Sequence, residues 1–418
     1  MAFDMDDNAD LKVCRGCGNS NLSPFFDLGR QPFANSLLKT EDELEDSYPL
    51  ALTFCNECSL VQLTYTADPA VLFSRYVWVT GTSSTARRQA LKFCSDILAR
   101  FPPNQPPRLV VEVASNDGTF LRPFIERNVP VIGIDPAANI AEQANRDGVR
   151  TRCAFFDEKL ARSLLVEQGA ADVVIVRNVL PHVAALHSVV RGISVLVGAT
   201  GLAAIEVHYG KKILEGLQYD SIYHEHLCYF TVATLSRLLE KHGLEIVDLD
   251  EGPINAGALI AYARKAGASK ANSVKRFLDG EAQTRTNTLA AWREFAARAF
   301  RHRDELNAIL NAETVGGRNT VGYGASARSS TMLNFCGISR QKLGCIADAA
   351  PLKQRSFTAG TRIPICAPEK VFAARPDNVL LLAWNFREEI VGLLRDRFKF
   401  RGKVIHPLPT TPTIQIMA

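Results

Sequence analysis

Apolar and polar positions in the middle of the chain alternate as in a parallel α/β sheet. Residues 109–113 form a short, mostly β-branched apolar run that predicts a strand, and residues 120–127 are amphipathic. A second apolar run follows at 129–134, and residues 138–146 have helical periodicity. Because apolar strands that alternate with helices build a parallel sheet covered on both faces, this pattern predicts an α/β fold with a Rossmann-like sheet.

The flanking regions have different patterns. Residues 101–107, FPPNQPP, are difficult for a helix to cross and predict a joint before the α/β region. Residues 269–313 are rich in alanine with helical periodicity, which predicts one or two long helices without chemistry. Residues 320–323 predict a strand, followed by a strand-to-helix turn. A length of 418 residues predicts two or three domains.

Composition and charge narrow the class of protein. The chain has 47% hydrophobic residues and a mean hydropathy of -0.01, which is typical of a soluble globular protein. Its apolar stretches are far shorter than the roughly 18 residues of a membrane span, so we expect no membrane partner. With 48 basic and 44 acidic residues, the charge balance does not favour nucleic acid as a partner. The acidic amino terminus does not resemble a signal peptide, so we expect a cytoplasmic protein.

Four of the ten cysteines form two CxxC pairs, CRGC and CNEC. Two such pairs together provide the closed four-sulfur shell that structural zinc prefers. Two redox-active or coincidental pairs are the alternative, which a duplicated motif in a cytosolic chain disfavours. We therefore predict a Zn²⁺ ion bound by Cys14, Cys17, Cys55 and Cys58. Because no coordination position stays open, its role should be structural.

The loop after the first predicted strand predicts a ligand site. Residues 114–119 are mostly small and contain one glycine, and ligands of such sheets bind at the carboxyl ends of the strands. Asp135 follows the second predicted strand, where a carboxylate can accept hydrogen bonds from ribose hydroxyls. Since the loop is not GxGxxG, it favours S-adenosylmethionine (SAM), which carries no phosphate, over NAD. A structural turn without a ligand is the remaining interpretation.

Residues 219–230, YDSIYHEHLCYF, are the richest group of polar side chains. Buried polar groups each need a partner, so this concentration of imidazoles, carboxylates and phenols favours acid-base chemistry. In a helix Glu225 would lie between His224 and His226, whereas in a strand the two imidazoles would share a face. A second metal site and a satisfied structural cluster are the alternatives.

These motifs, in this order, resemble one family. Along nearly its whole length the chain resembles the sugar C-methyltransferases of deoxysugar biosynthesis, which include 3-C-methyltransferases of antibiotic sugars. The resemblance is carried by the CxxC pairs, QPFAN at 31–35, EVASNDGT at 112–119, DPA at 135–137, NVLPH at 178–182 and YHEH at 223–226. Downstream it continues with GYGASAR at 322–328, KQ at 353–354, GTRIP at 360–364 and WN at 384–385.

The resemblance implies an enzyme of three parts. These are a zinc-binding domain (1–75), a Rossmann-like SAM-dependent methyltransferase domain (76–250) and a C-terminal Rossmann-like α/β domain (251–418) that helps to hold a nucleotide-sugar. Members of the family methylate the carbon next to the ketone of a nucleotide-linked 4-keto-sugar. The ketone acidifies that C–H bond, so deprotonation gives an enolate that attacks the SAM methyl group. We expect a dTDP- or GDP-linked substrate and a monomer or small homo-oligomer.

The resemblance also implies roles for individual residues. The expected base is His226, with Tyr223 as its alternative or partner. The other catalytic candidates are Tyr76, His182, His224 and Glu225, and the substrate-binding candidates are Asn35 and Arg328. Loop position predicts SAM contacts from Glu112, Ser115, Asn116, Gly118, Asp135 and Asn178. The plainer alternatives are strand packing for Tyr76, a capping or packing role for His182 and a solvated side chain for Arg328.

The chain departs from its apparent relatives at two places. Arg177 stands where a less charged residue is common, and the loop at 324–330 reads GASARSS where lysine and glycine are common. Both departures leave the exact sugar and nucleotide open. The rival functions are an RNA-modifying methyltransferase, which the balanced charge disfavours, and an NAD-dependent sugar-modifying enzyme, which cofactor preference would reveal.

Overall fold

The computed structural model describes residues 10–74, 79–252 and 256–417, within which the strands form three sheets. The strands are β1 (Leu22–Gln31), β2 (Tyr48–Cys55), β3 (Val61–Leu63), β4 (Val110–Val113), β5 (Val131–Asp135), β6 (Thr151–Cys153), β7 (Ala171–Arg177), β8 (Val197–His208), β9 (Cys228–Tyr229), β10 (Leu244–Gly252), β11 (Ala258–Lys265), β12 (Thr320–Tyr323), β13 (Ile346–Ala347), β14 (Ile365–Cys366), β15 (Asn378–Leu381), β16 (Gly402–His406) and β17 (Thr413–Met417).

Helices connect and cover these sheets. The α-helices are α1 (Pro69–Phe73), α2 (Ser84–Leu98), α3 (Arg122–Ile125), α4 (Ala138–Arg146), α5 (Glu158–Gln168), α6 (Leu186–Leu196), α7 (Gly210–Glu215), α8 (Val232–Glu240), α9 (Asn272–Gln283), α10 (Leu289–Val315), α11 (Ala327–Cys336), α12 (Pro368–Ala373) and α13 (Arg387–Asp396). Short 3-10 helices cover Thr80–Thr82, Leu180–His182, Tyr219–Ser221 and Trp384–Phe386. None of the helices in the described ranges combines the length and the apolar character that crossing a membrane requires.

The amino-terminal sheet has the order β1-β2-β3-β9 and is antiparallel throughout. Its last strand comes from a distant part of the chain, because Val61 pairs with Tyr229 and Gln62 with Cys228. Strand β9 begins two residues after His226. The amino-terminal lobe therefore pairs directly with the segment that carries the predicted catalytic cluster.

The central sheet has the order β10-β11-β8-β7-β4-β5-β6. Strands β8, β7, β4, β5 and β6 are parallel, whereas β11 and β10 run antiparallel at one edge. All four residues of β4 are buried, as expected for a strand covered on both faces. The parallel α/β fold predicted from the sequence is confirmed, and α4 has the predicted bounds.

Two local expectations differ from the structure. The amphipathic stretch at 120–127 forms only the four-residue helix α3, which begins at Arg122 and has Pro123 in its first turn. The proline-rich segment at 101–107 does not separate two lobes. Helix α2 precedes it and already packs on the central sheet, where Phe93 and Ile97 share a core with Val110. The segment joins a helix to a strand within one unit.

The carboxyl-terminal part begins with the two helices α9 and α10, which confirm the long helices predicted at 269–313. Its sheet has the order β14-β13-β12-β15-β16-β17, parallel except for β17. Strand β12 has the predicted bounds and leads through a short loop into α11, whose amino terminus is capped by Ser326. Parallel sheets thus occur in both halves of the chain.

Candidate active site

A cavity of about 1960 Å³ lies where the amino-terminal lobe, the carboxyl ends of the central strands and the β12–α11 loop meet. The candidate residues on its wall are Asn35, Ser115, Asn116, Asp135, Asn178, His182, Tyr223, His224, Glu225, His226 and Arg328. Tyr76 lies outside the described residues. The described chain resumes just beyond it, and the backbone amide of Thr80 donates to Asn116 Oδ1 at 2.8 Å.

The loop after β4 is shaped by the carboxylate of Asp135. One oxygen accepts from the Asn116 amide at 2.8 Å, and the other accepts from the Ala137 amide at 2.9 Å. The positive φ of Asn116, 51°, folds the loop around this carboxylate. Gly118 does not line the cavity. Its φ is +76°, and a Cβ atom there would lie 2.6 Å from the Val149 side chain, so this glycine serves packing behind the loop.

Behind the loop lies a buried charge cluster that sequence reasoning did not assemble. The guanidinium of Arg177 lies 3.2 Å from Glu206 and 3.8 Å from Glu112, and 3.1 Å from the centre of the Phe120 ring. Burial raises the pKa of Glu112 to about 8, and the Arg177 charge opposes this shift. Glu112 lies beneath the cavity wall. Arg177, a departure from the apparent relatives, thus lies beside two buried acidic side chains.

The residues around this loop fit an adenosyl cofactor. Gly133 keeps space beside the loop, because a Cβ atom there would lie 2.4 Å from Ser115 Oγ. The Ser115 hydroxyl and one oxygen of Glu112 are buried without a hydrogen-bond partner. Phe155, which the sequence reasoning missed, is 49% exposed and lines the same cavity. An aromatic face and acceptors at strand ends suit adenine and ribose.

Tyr223 and His226 form a hydrogen-bonded pair at the cavity wall. His226 Nδ1 lies 2.8 Å from the carbonyl oxygen of Ser221, and His226 Nε2 lies 2.7 Å from the Tyr223 hydroxyl. Because a carbonyl can only accept, Nδ1 carries the proton and Nε2 presents its lone pair to the Tyr223 O–H. Burial, assisted by the nearby His182 and His208, lowers the pKa of His226 well below 6.5. The imidazole is therefore a neutral base.

Two further histidines flank His226. The rings of His182 and His208 each lie 4.9 Å from the His226 ring. Burial lowers the pKa of His182 to about 4, against a hydrogen bond to the backbone of Glu225. His208, at the end of β8, was missed by sequence reasoning. Its signal was the pattern Glu206-Val-His208, two polar residues on one face of an otherwise apolar strand.

His224 points away from His226. Residues 223–226 form a turn, neither the helix nor the strand considered from the sequence. His224 Nε2 lies 3.2 Å from the Pro49 carbonyl, and its ring is enclosed by Phe33, Tyr48 and Tyr65 of the amino-terminal lobe. Burial lowers the pKa of His224 to about 4. This neutral imidazole anchors the turn on the lobe.

The amino-terminal lobe and the carboxyl-terminal part each contribute a predicted substrate contact. Asn35 Nδ2 donates to Glu225 Oε1 at 2.5 Å, which places both side chains at the cavity wall. Arg328 also borders the cavity but is only 8% exposed. Its Nε and one terminal nitrogen donate to the two oxygens of Asp220 at 2.9 and 2.8 Å. The planar guanidinium of Arg328, which was expected to bind a diphosphate, is therefore already paired with the Asp220 carboxylate.

The four paired cysteines lie together in the amino-terminal lobe. Their sulfur atoms all lie within 4.8 Å of one another, and the Cys14–Cys58 and Cys17–Cys55 distances are both 3.5 Å. A tetrahedral zinc with Zn–S bonds of about 2.3 Å needs sulfur atoms about 3.8 Å apart, so the cluster fits this metal. Lys241 donates to the Gly16 carbonyl, which holds the cluster against the central part of the chain.

The cavity at the strand ends and the four-cysteine cluster fit a zinc-binding, SAM-dependent methyltransferase. The family models that match are a zinc binding domain at residues 14–73, a methyltransferase domain at 86–249 and a C-methyltransferase C-terminal domain at 253–409. The C-methyltransferase NovU of Streptomyces niveus is 32% identical over 403 residues, which is 96% of each chain. The chain belongs to this family of SAM-dependent C-methyltransferases.

Solved methyltransferase structures are similar to part of the chain. Magnesium protoporphyrin IX methyltransferase (ChlM) of Synechocystis, with bound SAM, has a TM-score of 0.34 and 14% identity over 44% of this chain and 80% of its own. The 1,6-didemethyltoxoflavin-N1-methyltransferase of Burkholderia thailandensis has a TM-score of 0.32 and 17% identity over 50% of this chain and 97% of its own.

Proposed function

We propose that the protein methylates a nucleotide-linked 4-keto-sugar at the carbon next to the ketone, through an enolate. The observation that carries this proposal is the Tyr223–His226 pair, in which a neutral imidazole has its Nε2 lone pair fixed at the cavity wall. C-methylation needs a base for a C–H bond, and a ketone neighbour brings that acidity within the reach of histidine. The three-part division at residues 75/76 and 250/251 belongs to this proposal, although the end of β10 and the whole of β11 lie beyond the second boundary and complete the central sheet.

The two members of the pair have complementary tasks. Burial raises the pKa of Tyr223 well above 10, so its hydroxyl keeps its proton and can donate to the enolate oxygen. When the hydroxyl turns to that oxygen, His226 Nε2 becomes free to take the proton from the neighbouring carbon. Glu225, held by Asn35, and the neutral His182 border the same space and orient the sugar, with Tyr76 as a further candidate.

The cofactor contacts belong to the carboxyl ends of the central strands. We propose that Asp135 accepts the ribose hydroxyls, that Phe155 covers the adenine, and that Ser115, Asn116 and Asn178 contact the remainder. Glu112 supports the loop from below. SAM supplies an electrophilic methyl group there. The cavity of about 1960 Å³ has room for this cofactor together with a dTDP- or GDP-linked sugar.

The test separates deprotonation from methyl transfer. The enzyme is incubated in D2O with S-adenosylhomocysteine (SAH) and dTDP- or GDP-linked 4-keto-6-deoxy-sugars, and deuterium uptake next to the ketone is followed by mass spectrometry. The expected result is uptake with one sugar class, and methylation of that sugar when SAM replaces SAH. His226→Asn should slow uptake by roughly 10²–10⁴-fold, the contribution of a positioned base.

His224→Asn is the matched control, because it removes an imidazole two residues away that faces Pro49. We expect its rate of uptake to fall less than about tenfold, since it loses an anchor and not the base. Full deuterium uptake by His226→Asn, with unchanged SAH affinity, would rule out His226 as the base. Methylation of none of the keto-sugars would rule out the proposed substrate class.

A further inference from the structure

We infer that Arg328 is a positioning residue that fixes His226 through segment 218–222, and not a ligand of the substrate's diphosphate. The inference deepens the proposed function and rests on His226 as the base. Arg328 lies in the first turn of α11, in the carboxyl-terminal part of the chain. Segment 218–222 belongs to the central part, directly before the Tyr223–His226 turn.

The contact between the two is a buried, bidentate ion pair. Asp220 is completely buried and accepts from Arg328 at 2.9 and 2.8 Å, and Arg328 also donates to Gln218 Oε1 at 3.2 Å. Trp384 Nε1 donates to Asp220 at 2.7 Å, and the Arg328 guanidinium lies 4.8 Å from the centre of the Trp384 ring. These contacts tie the guanidinium to segment 218–222 and to Trp384.

A second contact from α11 holds the same segment. The Thr331 hydroxyl donates to the Ile222 carbonyl oxygen at 2.8 Å. Between the two anchored residues lies Ser221, whose carbonyl oxygen accepts the Nδ1 proton of His226 at 2.8 Å. A chain of contacts therefore runs from Arg328 and Thr331 through the backbone of segment 218–222 to the imidazole, and fixes the tautomer that leaves Nε2 unprotonated.

The charge balance argues against a diphosphate ligand. If Arg328 turned to a substrate anion, Asp220 would lose its counter-charge at a completely buried position. Separating a buried pair in this way is strongly unfavourable, because a carboxylate without its partner cannot be solvated there. A diphosphate would have to compete with a pre-formed bidentate carboxylate. The geometry instead suits a permanent brace on the turn that carries the base.

The experiment compares Arg328→Gln with wild type by two measurements. Long-range ¹H–¹⁵N spectra of the histidine side chains report which nitrogen of His226 carries the proton, with the signal assigned by its loss in His226→Asn. Calorimetric titration with dTDP, GDP and SAH reports binding. Arg318→Gln is the control, because Arg318 pairs with Glu313 at 2.8 Å away from the cavity wall.

In Arg328→Gln we expect loss of the single Nδ1-protonated signal of His226, with nucleotide and SAH affinity within about twofold of wild type. Deuterium uptake by the keto-sugar should fall at least about tenfold. Thr331→Val should change the same signal in the same direction and keeps the test open if Arg328→Gln does not fold. Arg318→Gln should leave the signal unchanged. An unchanged His226 signal in both α11 variants would overturn the inference, most clearly if dTDP or GDP affinity fell instead.

These outcomes are distinct from failure of the proposed function. The tautomer of His226 is observed without a substrate and without turnover. If His226→Asn kept full deuterium uptake, His226 would not be the base, yet its signal would still show whether α11 positions it. If the His226 signal were unchanged in both α11 variants while His226→Asn lost deuterium uptake, His226 would remain the base, and the positioning role of Arg328 would be ruled out.

Discussion

Asp135 in the central sheet and Asp348 in the carboxyl-terminal sheet occupy equivalent places. Asp135 is the last residue of β5, which lies beside β4, and Asp348 directly follows β13, which lies beside β12. Strands β4 and β12 each lead into a loop. Each carboxylate accepts one backbone amide from that loop, Asn116 or Ala325, and a second amide two residues further along its own strand end. The same local device therefore closes both loops.

The two loops differ in what lies beyond them. Asp135 borders the large cavity, and only the four-residue helix α3 follows its loop. Asp348 does not line the cavity, and the ten-residue helix α11 that follows its loop directs Arg328 toward Asp220. A shared turn geometry thus does not define a shared function, because only the carboxylate that borders the cavity can be reached by a ligand bound there.

Replacing the two aspartates would test this difference most directly. Asp135→Ala should weaken SAH binding by about 100-fold, because charged hydrogen bonds worth about 3 kcal/mol in total are lost from the loop and its ligand. Asp348→Ala should leave SAH affinity within about twofold. Calorimetric titration measures both, and a large loss in Asp348→Ala would contradict the division of tasks.

The carboxyl-terminal aspartate should matter for stability instead. Asp348→Ala leaves the Ala325 and Ala350 amides without their acceptor, which should reduce the free energy of unfolding by about 2 kcal/mol. Asp377→Ala is the control, since Asp377 accepts the Asn319 amide at an exposed site and should cost about 0.5 kcal/mol. Chemical denaturation followed by circular dichroism measures both. Equal effects would show that Asp348 does not brace its loop.

The smallest expected effect is that of pH on deuterium uptake. Burial, His182, His208 and Arg328 all lower the pKa of His226, which is therefore neutral across pH 6–8. A histidine with its usual pKa would lose about fourfold of its neutral form between pH 7.5 and 6. We therefore expect the rate of deuterium uptake by the wild type to be independent of pH in this range. In Arg328→Gln the pKa of His226 should rise, because a positive charge is lost, and the decline in rate at acid pH should begin closer to pH 6. A fourfold decline in the wild-type rate between pH 7.5 and 6 would show that the base is a histidine with its usual pKa.

The parts of the site that sequence reasoning found are defined by short-range chemistry. Two CxxC pairs can bind one ion wherever the chain brings them together, so their spacing alone indicates the metal. Asp135 is placed by its position at the end of an apolar strand. Likewise, the helices at 138–146 and 269–313 follow from periodicity, which needs no knowledge of the rest of the fold.

The parts that it missed depend on distant partners. His224 and His226 diverge because the carbonyl of Pro49 and three aromatic rings of the amino-terminal lobe hold His224. The fork of Arg328 faces Asp220, more than a hundred residues earlier, and no local pattern announces this pairing. No local pattern distinguishes Phe155 from other apolar residues, because its role depends on the cavity that it lines.

The pairing of β3 with β9 also has a consequence for how the chain is made. Residues 61–62 cannot complete their sheet until residues 228–229 have been synthesised, so the edge of β3 stays open while most of the central sheet emerges from the ribosome. An open edge is a template for wrong pairing between nascent chains. Because such long-range closure is slow, we expect maturation of the amino-terminal lobe to be a late event in folding, after the parallel core has formed.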